Sequence, residues 1–178
     1  MKALIGPAFL LLALGADHAG AQSTTRIRVA LPGFGVQIVM DTLGEVREVS
    51  APPGRVFTAA AMVMQNLRIP IDVRDSAGGL LGAAKLVRTR NLAGSALSRY
   101  LECGSGMTGP RADSHRVQMP LLLFIDAAPE GKTKLRIALA ASAQDNSGTS
   151  NSPVTCGSTG ALEGQLRRAI GAQLAVLP

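Results

Sequence analysis

The chain carries two cysteines, Cys103 and Cys156, so it can close one internal covalent loop and no second. A bond between them would enclose about 50 residues and constrain the unfolded chain by roughly 4 kcal/mol. Any fold must then bring two segments far apart in sequence into contact. Redox-active thiols usually sit in Cys-x-x-Cys, and this spacing argues against that use, which puts a structural disulfide ahead of two free thiols or a redox pair.

Disulfides persist in oxidising compartments, and the N-terminal segment supplies a route to one. Lys2 precedes an apolar run from Ala3 to Gly15 broken only by Gly6 and Pro7, and Ala19-Gly20-Ala21 forms a small-x-small cleavage site. Residues 1–21 are therefore expected to be a secretory signal peptide, with the mature chain starting at Gln22. The apolar run falls well short of the ~20 residues a spanning helix needs. A lipoprotein would place a cysteine directly after the cleavage site; Gln22 stands there, so no lipid anchor is expected. Neither Asn146-Ser147-Gly148 nor Asn151-Ser152-Pro153 satisfies the glycosylation pattern. These features point to a secreted, periplasmic protein.

Loss of residues 1–21 from 178 leaves roughly 157, enough for one domain with its own core. That core must be aliphatic, because Phe34, Phe57, Tyr100 and Phe124 are the mature chain's aromatic residues and Trp is absent. The formal charge of +6 belongs to the mature chain, since Lys2 and Asp17 cancel within the signal. Such a charge favours anionic partners, including an anionic membrane surface. Nucleic acid is not expected as a partner, because there is no stacking platform and the basic residues are scattered.

Along the chain, Arg26–Val29 and Gly35–Met40 alternate as short strands of a peripheral hairpin, within an N-terminal extension assigned to residues 22–50. Residues 51–178 form the main domain. Pro52-Pro53-Gly54 opens a helix to about Arg68, with Val56, Phe57, Ala60, Val63, Met64 and Leu67 on one stripe, and Ile69-Pro70 ends it. Ile71–Arg74 and Leu80–Arg88 are expected strands joined across Asp75-Ser76-Ala77-Gly78-Gly79. A short helix is expected over Asn91–Leu101, with Leu97, Tyr100 and Leu101 as its contacts. Arg116–Ile125 and Thr133–Ala143 make a hairpin with one face buried and the other solvated. Gln144–Pro153 is expected to be a mobile polar loop, and Leu162, Leu166, Ile170 and Leu174 mark a final helix from Ala161 to Ala175.

This order predicts an α+β fold, an antiparallel sheet with helices packed on one face. With its helix ending at Leu67-Arg68-Ile69-Pro70 and its hairpin carrying Asp75 and Gly78-Gly79 at the tip, the chain resembles the helix-grip modules of BamC-type lipoproteins of the outer-membrane assembly machinery. The resemblance covers roughly residues 54–175 and is architectural. It differs in lacking a lipidated cysteine and in having one module where that family has two. It implies an accessory, non-enzymatic part in an envelope assembly.

Few residues offer chemistry of their own. Gly104-Ser105-Gly106-Met107-Thr108-Gly109 has the letters of a dinucleotide fingerprint, but a helix is expected before it and a strand after it, the reverse of what that motif requires. A loop beside the disulfide is the better reading, and no cofactor is expected. His115 has Asp113 and Ser114 beside it, yet neighbours on a strand point to opposite faces and cannot make a triad unaided. No metal site is expected from one histidine and two paired cysteines. Asp72, Asp75, Asp126 and Glu130 sit mainly at turns, so no catalytic pair is assigned.

Three functional readings follow. The first is a non-enzymatic interaction domain for a protein or envelope partner, using an open sheet face or edge, with Arg88, Arg90, Arg116, Lys134 and Arg136 as the candidate face for an anionic partner. The second is a carrier of a small hydrophobic ligand or lipid, which needs a cavity lined by Met64, Leu67, Leu123 and Leu139. The third is a hydrolase assembled around His115.

Overall fold

A computed structural model of the protein describes residues 27–145 and 152–177. The expected signal peptide, and residues 146–151 of the expected polar loop, lie outside the described residues.

The described chain forms the expected α+β architecture. Besides three two-stranded pairs, one of them the expected N-terminal hairpin of Arg28–Val29 with Ile38–Val39, its strands are β1 (Val46–Val49), β2 (Val73–Asp75), β3 (Leu80–Ala83), β4 (Val87–Thr89), β5 (Leu101–Glu102), β6 (Arg116–Gln118), β7 (Leu121–Ala127), β8 (Thr133–Leu139), β9 (Ala141–Gln144) and β10 (Val154–Ser158), and its long helices are α1 (Pro53–Asn66) and α2 (Ala161–Val176). One sheet has the order β1-β8-β7-β3-β2 and the other β4-β6-β9-β10-β5, with neighbours antiparallel throughout.

Three stretches of chain run from one sheet into the other. Leu86 lies between β3 and β4, Met119-Pro120 between β6 and β7, and Ala140 between β8 and β9. The crossings are tied together where the Met119 amide donates to the Leu86 carbonyl at 2.8 Å and the Ala140 amide to the Pro120 carbonyl at 3.2 Å. Pro120 has no N–H to give to a ladder, so the expected straight hairpin over 116–143 breaks there and bends.

Pro53 occupies the first turn of α1, where a missing N–H costs nothing. The helix buries Val56, Phe57, Ala60, Val63 and Met64 against the inward residues of β7 and β8, among them Leu123, Ile125, Leu135 and Ile137. Leu162, Leu166 and Ile170 of α2 join the same core. The Arg55 guanidinium, in the first turn of α1, donates to the carbonyls of Leu174 (3.3 Å) and Leu177 (2.8 Å), supplying partners at the far end of α2.

Four further expectations need correction. Leu80–Arg88 is not one strand, because β3 ends at Ala83 and β4 starts at Val87 in the other sheet. Residues 91–101 are not a helix: Asn91–Leu92 pairs with Ser95–Ala96 in a tight hairpin, and a short 3₁₀ turn, Leu97–Arg99, leads into β5. Ala93 and Gly94, with φ of 49° and 79°, make the reversal, so turn chemistry overrode the helical spacing, although Leu97 and Tyr100 are buried as expected. The outer face of the first sheet is not simply solvated. Leu31 and Met40 pack with Leu80, Leu122 and Ala138 in a second apolar cluster, flanked by Val29, Phe34 and Ile38. The 22–50 segment is also more than an extension, because β1 within it pairs with β8 as an edge strand of the first sheet.

The Cys103–Cys156 disulfide is present, with 4.2 Å between its Cα atoms. Gly157 opposes Glu102 and Ser158 opposes Leu101, so Cys156 and Cys103 continue the same register as directly facing residues. The bond staples β10 to the edge strand β5, not one helix to another as the expected short helix would have required.

Candidate functional site

At the C-terminal end of α1 the chain reverses through a tight cap. The Arg68 amide donates to the Gln65 carbonyl and the Ile69 amide to the Met64 carbonyl, each at 2.9 Å, which is the Schellman pattern. Arg68 occupies its left-handed position with φ of 56°, where glycine is the usual residue. Arg88, on the edge strand β4, reaches the same place. Its side chain is half-buried, with Nη2 donating to the Arg68 carbonyl at 3.0 Å and Nη1 to the Val87 carbonyl at 2.9 Å.

Between this cap and the 91–96 hairpin lies an open cleft of about 550 Å³, lined by Asn66, Leu67, Arg68, Arg88, Asn91 and Leu92 and closed by the Ala93-Gly94 turn. No acidic residue lines it. The ion pairs of Arg47 with Glu45 and of Lys132 with Glu130 lie elsewhere. Two arginines and two asparagines thus line a cleft without an acidic residue. Such a set donates hydrogen bonds to an oxyanion.

The five basic residues singled out from sequence do not form one face. Arg88 opposes Val117, whose side chain is buried in the main core, so Arg116 beside it lies on the other side of the sheet. Arg116 instead lines a second cleft of about 270 Å³ together with Val29, Leu31, Lys85 and Gln118. Arg90 follows β4 at a left-handed φ of 68° and is exposed. Lys134 stands between Glu48 and Asp126 on the neighbouring strands, and Arg136 is half-buried, donating to the Asp41 carbonyl. Arg88 alone of the five lines the larger cleft, where it meets Arg68, a residue whose sequence setting marks only the end of a helix.

The other candidates take structural places. Gly104–Gly109 holds a small hairpin in which Ser105–Gly106 pairs with Gly109–Pro110, and Met107 stands fully exposed at its tip. The Asp113 carboxylate accepts the Ser98 amide at 2.8 Å, whereas the Ser114 hydroxyl lies 3.1 Å from His115 Nδ1. Asp72 accepts the amides of Ala84 (2.6 Å) and Lys85 (2.9 Å), and Asp75 those of Ala77 and Gly78, which fixes the turn between β2 and β3. Met64, Leu123 and Leu139 are buried in the packed core and line neither cleft. Among the described residues no group of three or more His, Cys, Asp or Glu side chains is placed to hold a metal ion, and no helix is long and apolar enough to cross a membrane.

Compared with known proteins, the chain matches no family model and no curated protein.

Proposed function

We propose that the protein is a secreted, periplasmic, non-enzymatic accessory domain that binds an anionic protein or envelope partner. The observation that carries this reading is the charge balance: the sequence has a formal charge of +6, and cations such as Arg68, Arg90 and Arg116 stand exposed. Exposed cations are available to an external partner, and their combined field speeds the approach of an anionic surface. The buried cross-strand disulfide supports an oxidising compartment. The architectural resemblance of roughly residues 54–175 to the helix-grip modules of envelope-assembly lipoproteins implies an accessory part in such an assembly.

The test is chemical cross-linking in the native envelope followed by recovery of the protein at two salt concentrations. One stoichiometric partner, with the contact weakening at high salt as exposed charges are screened, is the expected result. Recovery of the protein alone at both concentrations would overturn the reading.

A further inference from the structure

We infer that the cleft at the C-terminal end of α1 is a binding site for a phosphate monoester, held by Arg68 and Arg88. The inference deepens the anionic-partner reading and rests on it.

Charge decides the class of ligand. Arg68 and Arg88 bring two full positive charges to a cleft with no acidic lining residue. Against them stands the C-terminal pole of α1, worth about half a negative charge. Its carbonyls at Val63, Met64 and Gln65 already accept backbone amides. The balance is about 1.5 positive charges, which matches the roughly −1.5 to −2 of a phosphate monoester at neutral pH. A carboxylate would leave part of the field unmatched.

Geometry points the same way. Two donors of Arg88 are spent on the Val87 and Arg68 carbonyls, which fixes the plane of its guanidinium. A planar fork held in this way loses little freedom on gripping an oxyanion. The cap that ends α1 fixes the backbone of Arg68 at its left-handed φ, so the residue's position at the cleft is set by the fold. The carboxamides of Asn66 and Asn91 add neutral donors. A cleft of about 550 Å³ is also far larger than one phosphate group, and Leu67 and Leu92 offer the carbon body of an ester an apolar wall.

Such a monoester reaches the cleft either as a soluble metabolite or as a lipid headgroup, and one set of titrations separates the two. Calorimetry of the purified protein at low salt would use glycerol phosphate, with glycerate as its carboxylate counterpart. Co-sedimentation would use phosphatidylcholine vesicles with and without phosphatidic acid. The expected result is binding of glycerol phosphate or of the phosphatidic acid vesicles, weakened about tenfold or more in Arg88→Gln and in Arg68→Gly. Binding of the soluble ester assigns a metabolite, and binding of the vesicles alone assigns a lipid.

Arg88→Gln removes a contact to the helix end, whereas Arg68→Gly keeps the carbonyl that Arg88 holds and tests the site in a sound fold. Failure to bind either phosphate probe, equal affinity for glycerate, or unchanged binding in Arg68→Gly would overturn the assignment. Failure of the unaltered protein to bind either phosphate probe, with a cross-linked partner still recovered, would refute the cleft and leave the partner reading standing. Phosphate binding without any cross-linked partner would do the reverse.

Discussion

Replacing Arg68 with glycine should make the protein more stable, even though it removes a side chain from the candidate site. Arg68 is held at φ 56° by the cap that ends α1. The left-handed region costs an L-residue about 1–2 kcal/mol, and glycine escapes that cost. Glycine gives back about 0.5–1 kcal/mol in unfolded-chain entropy. The net gain is about 0–1.5 kcal/mol, and for a domain of this size that raises Tm by up to about 6 °C. Little else changes, because Arg88 bonds to the Arg68 backbone carbonyl, which glycine also has. Arg68→Ala is the control: it removes the same charge and keeps the same backbone strain, so it should not share the gain. Differential scanning calorimetry of the three proteins at one pH and salt concentration makes the comparison. A Tm for Arg68→Gly at or below that of Arg68→Ala would refute the argument that backbone strain at this position is what the arginine costs.

Two further outcomes follow from the packing. Reducing the disulfide, or replacing both cysteines with alanine, should lower stability by about 4 kcal/mol, since it closes a separation of 53 residues; urea denaturation with and without reductant measures this, and a loss under about 1 kcal/mol would show that the two strands stay paired in the unfolded chain. Thr133→Val should cost about 1–2 kcal/mol, because the buried Thr133 hydroxyl donates to the Ala51 carbonyl at 2.6 Å and valine leaves that acceptor unmet; Thr133→Ser, which keeps the hydroxyl, should recover most of the loss in the same denaturation assay.

The elements legible in the sequence are those whose periodicity is uninterrupted. The Pro53 start and apolar stripe of α1, the alternation of Leu121, Leu123 and Ile125, and the four-residue steps of α2 each met a partner surface of the expected kind. Three strands are not legible: β5 starts in a stretch spaced like a helix, and the other two fail for opposite reasons. In β1 the charged pair Arg47-Glu48 lies between two valines, because an edge strand with little burial carries almost no apolar pattern. In β10 Gly157 and Ser158 spoil the alternation, and Cys156 is its one buried residue. Pro120 did signal a break within the long hairpin, yet the apolar residues on both sides obscured it. The cleft was harder still, since Arg68 and Arg88 are twenty residues apart and meet only because α1 ends over the edge of the second sheet. One local clue existed: a residue between the last helical turn and Ile69-Pro70 occupies the glycine position of a helix cap, and here it is arginine.

The three crossings between the sheets bear on how the molecule comes apart. A strand pair that belongs to one sheet can fray by itself, but β7 and β8 continue directly into β6 and β9, and the crossing residues hold each other through the Met119–Leu86 and Ala140–Pro120 bonds. Neither ladder can open without pulling on the other, so the two sheets make one cooperative unit. Amides at this seam would exchange with solvent only on global unfolding, whereas the outlying two-residue pairs at Asn91–Ala96 and Ser105–Pro110 would exchange through small local openings. The candidate cleft therefore has a wall anchored to the most protected part of the molecule and a lip drawn from one of its least protected parts.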